Sequence, residues 1–229
     1  MPDGLSSSRP AEVVLLHAAV VGRWSLFLFA RRLRALGFVT HNLPYPNRRL
    51  NVADCAEHLL PVWRRLADTN PDSPLHLAGH SMGGLVARRL LHLYQPPRFG
   101  RLVTLGTPHL GSPLADRLHH WSFYKWLFGP AGQDLVTDRD LSWPAPWPPP
   151  YPIGLIAGTI PIGPGSLHLR YPSDGTVTRH SAQPFGGTDY ALVRATHTTI
   201  PYRQKTARLT AGFLNTGRFE AGLINKKQG

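Results

Sequence analysis

Hydrophobic residues along this chain fall into two alternating patterns. Short apolar-rich runs at 12–17, 38–43, 75–78, 101–105, 153–158 and 189–193 read as strands. The runs that are apolar at nearly every position fit a parallel sheet buried on both faces. Between the runs, apolar side chains recur at helical spacing over 24–36, 52–66, 85–94 and 200–214. Gly37 stops the first of these as a C′ residue would, and Pro96-Pro97 end the third. Asn51 offers an N-cap for the second, which Pro61 is expected to interrupt or kink. The alternation predicts an α/β fold. It lapses from about 112 to 150, a stretch that carries Trp121, Phe123, Tyr124, Trp126, Phe128, Trp143 and Trp147. The prolines at 148–150 and 152 then read as a stiff connector back to the sheet.

One turn carries chemistry. Gly79-His80-Ser81-Met82-Gly83 joins the third strand to a helix that begins at once. A serine hydroxyl is a weak nucleophile until a base reaches it and the attacked oxygen is stabilised. A sharp strand-to-helix turn lifts Ser81 clear of the backbone. It also aims the N–H of Met82, at the helix start, where an oxyanion would form. Gly79 and Gly83 leave room for the turn, and Gly84 lets the helix sit close to its neighbours.

Taken in order, five segments resemble the α/β-hydrolase fold and, within it, the bacterial lipase/esterase group. They are Leu15-Leu16-His17, Gly79 to Gly84, Leu105 to Ser112, Ser173-Asp174-Gly175-Thr176-Val177 and Thr196-His197-Thr198. The resemblance implies one α/β-hydrolase domain over 1–229: a mostly parallel central sheet, helices on both faces and a small aromatic-rich cap at about 112–150. It further implies a serine hydrolase that cleaves carboxylic esters through an acyl-enzyme, with Ser81, Asp174 and His197 as the catalytic triad in the family's chain order. The rival reading of Asp174 is a surface Asp-Gly turn, which leaves His197 unpartnered; Asp138, Asp140 and Asp189 are weaker candidates for the acid. By the same match Ala19 supplies the second oxyanion-hole N–H beside Met82. The family's glycine in that loop is replaced by Ala18, which is strained if the position needs positive φ. His17 reads as a residue that hydrogen-bonds the loop rather than as a base, and His109 as a structural neighbour of the site. Trp121 and Trp126 are candidates for a substrate-binding wall; the alternative is that these rings only pack the insertion onto the core. A thioesterase, an acyltransferase or a cyclic-ester hydrolase would use the same residues. From a different class, a non-catalytic ligand-binding member of the fold usually lacks a triad residue, and this chain has all three.

Composition narrows the picture further. With 229 residues, 42% hydrophobic and 17% charged, the chain is globular rather than disordered. Its single cysteine, Cys55, excludes an internal disulfide and reads as a small packed side chain. His76 and His80 lie four apart on a strand running into a turn rather than on a helix, where they would share a face, and no His-Glu-x-x-His string occurs; no metal and no cofactor are expected. The net charge of +12 predicts either weak attraction to an anionic membrane surface or acidic substrate, or simply abundant arginine spread along the chain. No compact basic tract interleaved with aromatics points to nucleic acid. The polar start, residues 1–10, has neither the basic opening nor the apolar core of a secretory signal. His17, Gly22, Arg23 and Ser25 break up the apolar stretch 13–30, so no spanning helix is expected and the reading is cytoplasmic. Residues 225–229 read as a frayed polar tail.

Overall fold

The computed structural model describes residues 10–137, 142–165, 169 and 172–220. Asp138 and Asp140, the first nine residues and the 225–229 tail lie outside the described residues. Six strands form one sheet: β1 (Glu12–Leu16), β2 (Val39–Leu43), β3 (Leu75–His80), β4 (Phe99–Leu105), β5 (Ile153–Gly158) and β6 (Asp189–Val193). They are ordered β2-β1-β3-β4-β5-β6, and every neighbouring pair is parallel. Parallel pairing requires crossovers, supplied by α1 (Phe27–Ala35), α2 (Val52–Thr69), α3 (Met82–Leu93), α4 (Pro113–Leu118), α5 (Ser122–Gln133) and α6 (Arg179–Ala182), while α7 (Gln204–Thr216) follows the last strand.

The two-residue period of the strands divides the interior into two layers. Val14, Leu16, Leu75 and Leu77 point to the side covered by α2 and α3, where Trp63 is fully buried. Val13, Leu15, Ala78 and Val103 point to the other side, under α1 and α7 with Phe29 and Phe213. Each fully buried leucine or phenylalanine contributes roughly 1.5–3 kcal/mol relative to exposure. The apolar runs of β1 and β3 are therefore needed on both faces. Among the described residues, no helix is long and apolar enough to cross a membrane.

Two elements depart from their sequence reading. Helix α2 runs unbroken through Pro61 to Thr69. Pro61 and Glu57 both face solvent, so the carbonyl that loses its partner can be hydrated and the helix need not end there. Its start is as expected, with the Asn51 side chain accepting from the Asp54 N–H at 2.8 Å. The closing helix is split into a 3-10 turn, His197–Tyr202, and α7. Pro201 lies at that break, and Thr196 with Thr199 forms a capping box at its start.

Candidate active site

The carboxyl ends of β3, β4, β5 and β6 converge at one edge, where parallel sheets place their ligand sites. Ser81 follows β3 directly at φ +53°, a strained conformation for a residue with a side chain. Its N–H donates to the Leu105 carbonyl at 2.9 Å, which ties the turn to β4. A Cβ at Gly79 would come within 2.5 Å of the Gly83 backbone, so the two glycines permit close approach across the turn. Asp174 arrives on the loop beyond β5 and is buried. Its Oδ1 accepts from the N–H groups of Thr176 (3.0 Å) and Val177 (2.8 Å), leaving Oδ2 for the histidine. His197 opens the 3-10 turn after β6, seated by the Thr196/Thr199 cap.

These three side chains meet. His197 Nδ1 lies 2.8 Å from Asp174 Oδ2, and Nε2 lies 2.9 Å from Ser81 Oγ. The two ring nitrogens thus face the two partners, with Nδ1–H donating to the carboxylate and Nε2 free to accept from the hydroxyl. His80, the residue before the serine, is also involved. Its Nε2–H donates to the His197 carbonyl at 3.0 Å, and burial, followed by the proximity of His197, pulls its pKa down to about 3. His80 is therefore a neutral strut beneath the relay. Gly106, at φ +57°, lies behind the relay: a Cβ there would stand 3.0 Å from Asp174 Oδ2.

The two candidate oxyanion donors are held through their peptide partners. In a trans peptide the carbonyl and the following N–H point in opposite directions, so pinning one aims the other. The Ser81 carbonyl accepts from Thr107 Oγ1 at 2.9 Å and Gly84 N–H at 3.0 Å, which directs the Met82 N–H the other way. Met82 is the first residue of α3, where an amide has no carbonyl partner within the helix. The Ala18 carbonyl accepts from His17 Nδ1 at 3.0 Å and Asn47 Nδ2 at 2.9 Å, which directs the Ala19 N–H. His17 itself is buried and stacks on Tyr45 with ring centroids 4.1 Å apart. Ala18 does not adopt positive φ; that conformation falls two residues later, on Val20 at +69°. There the Val21 N–H closes a three-residue turn on the Ala19 carbonyl at 2.8 Å.

A cavity of about 580 Å³ opens over Ser81 and His197. Ala19 lines it near the serine, while Leu114, Leu118, Leu127 and Phe128 of α4 and α5 give it an apolar wall. Trp121 lines the cavity; Trp126 does not. The Trp126 ring instead takes the Arg48 guanidinium at 5.3 Å and lies 5.8 Å from Phe123. Behind the wall, the fully buried Arg88 of α3 donates to the Ala145 carbonyl at 2.7 Å and stacks 4.8 Å over Trp147. His109 is buried in that same cluster, with Arg88 Nη1 at 3.4 Å from its Nδ1 and Thr104 Oγ1 at 3.1 Å from its Nε2. Its pKa is pushed well down by burial and then by Arg88. His109 is thus absent from the cavity wall. Cys55 is buried with its thiol pKa raised to about 12, an inert packed side chain. Asp189 caps elsewhere, accepting from the Phe219 N–H at 2.7 Å. Among the described residues, no cluster of three or more His, Cys, Asp or Glu could hold a metal ion.

Comparison with known proteins agrees with this fold. The family model of the alpha/beta hydrolase fold matches residues 44–143. A 75-residue stretch is 33% identical to the GPI inositol-deacylase of Xenopus laevis, and it spans 32% of this chain but only 8% of that protein. Among solved structures, the mature lipase BlEst2 of Bacillus licheniformis superposes with a TM-score of 0.68 at 22% identity, covering 95% of this chain and 94% of that one. The metagenomic carboxyl esterase MGS0156 gives 0.64 at 15% identity, covering 87% and 68%. The phospholipase PlaB of Legionella pneumophila gives 0.59 at 16%, covering 76% and 45%. With its all-parallel six-stranded sheet and its strand-to-helix serine turn, the chain has the α/β-hydrolase fold.

Proposed function

We propose that the protein is a serine hydrolase of carboxylic esters, of esterase or lipase type. The observation that carries this reading is the Ser81–His197–Asp174 relay, with contacts of 2.9 and 2.8 Å, opening onto an apolar cavity. Ser81 Oγ attacks the ester carbonyl while His197 Nε2 takes its proton. Asp174 holds the imidazole tautomer and steadies the imidazolium, and the N–H groups of Met82 and Ala19 receive the oxyanion. His197 then protonates the departing alcohol, and water repeats the sequence on the acyl-enzyme. The 112–150 segment serves as the cap whose apolar wall takes the acyl chain, with Trp121 at its edge. The lipase, carboxyl esterase and phospholipase likenesses, and the inositol-deacylase segment, favour an ester of lipid character. Weak association with an anionic lipid surface fits the net charge of +12.

A fluorophosphonate probe tests the proposal directly. The wild-type chain is expected to be labelled at Ser81, and Ser81→Ala to lose both labelling and hydrolysis of short p-nitrophenyl esters with an unchanged circular dichroism spectrum. Turnover that survives in Ser81→Ala overturns the mechanism.

A further inference from the structure

Several side chains at the mouth of the cavity are apolar and face water. Val21, Trp121, Phe123 and Tyr202 line the cavity, yet they are 41%, 64%, 67% and 42% exposed. Trp24, 72% exposed, lies three residues beyond Val21 in the 3-10 turn Arg23–Leu26, and Trp126, 67% exposed, packs on Phe123. A monomer in water gains nothing from gathering such rings at one rim, and exposed apolar patches of this kind mark interaction sites.

The charges around these rings select the partner. Arg23 stacks over Trp24 at 5.0 Å and Arg48 over Trp126 at 5.3 Å. The stretches that carry these rings, residues 21–24, 121–126 and 202–203, add Arg23, Lys125 and Arg203 beside Arg48, all exposed, and hold no aspartate or glutamate. A protein partner or a second copy of this chain would have to match rings and cations at once. A bilayer with anionic headgroups does so without a specific fold: indole rings settle at the headgroup level, and the guanidiniums beside them meet phosphate.

We infer that this rim is a docking face for anionic lipid bilayers, which seats the cavity mouth on the membrane so that an ester can pass from lipid to Ser81 without crossing water. The inference rests on the ester-hydrolase reading for the role of the cavity; the docking itself does not. Reading the face as a lipid surface also assigns Trp126 a place: it belongs to the membrane contact rather than to the acyl pocket.

The test compares sedimentation with phosphatidylcholine vesicles and with vesicles that also contain phosphatidylglycerol, across a salt series. Hydrolysis of a soluble p-nitrophenyl ester is measured alongside. Wild-type protein is expected to bind the anionic vesicles, to release them as salt rises, and to bind neutral ones far less. Arg23→Gln with Arg48→Gln is expected to weaken anionic binding roughly twenty-five-fold, since each basic residue near the surface contributes about fivefold. Trp24→Ser is expected to weaken it further, and all three changes are expected to leave soluble-ester turnover intact. Equal binding to both vesicle types, variants that bind like wild type, or a self-associated state that hides the rim overturns the docking face. Soluble-ester turnover without vesicle binding removes the docking face and leaves the hydrolase reading in place. Vesicle binding without any ester turnover does the reverse.

Discussion

At the level of single residues, the arrangement holds its reacting atoms by pinning what lies next to them. The Ala19 N–H is directed because His17 and Asn47 hold the Ala18 carbonyl, and Asn47 Nδ2 also reaches the Val21 carbonyl at 2.8 Å. Asn47→Leu removes both bonds while keeping the number and branching of the side chain's heavy atoms. Its kcat on a soluble ester is expected to fall roughly tenfold, about 1.4 kcal/mol of transition-state stabilisation. That is a fraction of the roughly 2.7–4 kcal/mol that a whole oxyanion donor is worth. KM should change little, because an amide aimed at an oxyanion acts mainly in the transition state. A rise in KM at constant kcat would assign Asn47 to substrate binding instead. Ala18→Gly is expected to bring no gain, since the positive φ sits on Val20. That Ser81, Asp174 and His197 meet was legible through the resemblance, because each lies in a short string matching the family's, in the family's order. Asn47, Thr107 and His80 were not readable: each acts by donating to a distant backbone carbonyl, a contact that leaves no periodic or compositional trace.

At the level of elements, the sheet was the most legible part. Runs apolar at nearly every position, as Val13 to Leu16 of β1, are what two buried faces require. Element ends were less legible where tertiary context decided them. Pro61 is tolerated in α2 because it faces water, and the Thr196/Thr199 cap with Pro201 makes the turn after β6 end where a continuous helix was expected. The 112–150 segment gave composition without geometry: its tryptophans read alike, yet Trp121 lines the cavity, Trp147 stacks under Arg88, and Trp126 lies outside. Arg88 was unreadable as an anchor, because an arginine at helical spacing normally signals a solvent face. Arg88→Met keeps the apolar stem and deletes the donor to Ala145. It is expected to cost about 1.5–3 kcal/mol, the range for a charge-assisted hydrogen bond. Urea unfolding would measure the loss, and limited proteolysis should show new cuts at 142–150. Unchanged stability would mean the buried guanidinium is no anchor.

For the molecule as a whole, buried neutral histidines set the response to acid. His17, His76, His80 and His109 all have pKa values lowered from 6.5, chiefly by burial, His76 to about 4 and His80 to about 3. Below pH 6.5 the unfolded chain takes up protons that the folded chain refuses, so stability falls as pH falls. For His76 the loss runs from about 6.5 down to about 4, and for His80 down to about 3. Each such group removes up to about 1.4 kcal/mol per pH unit within its window. Urea midpoints are therefore expected to drop steadily between pH 7 and pH 5, and a flat profile would mean these rings become charged in the native state. The Arg88 cluster also has a consequence for redesign. The guanidinium fastens residues 145–147 to the serine's own helix, whereas α4 and α5 supply the wall over the cavity. The stretch between them and the anchor divides the segment into a fixed foot and an exchangeable roof. Transplanting only 113–133 from another protein of the α/β-hydrolase fold should alter which chains are accepted while the Ser81–His197–Asp174 contacts keep their alignment.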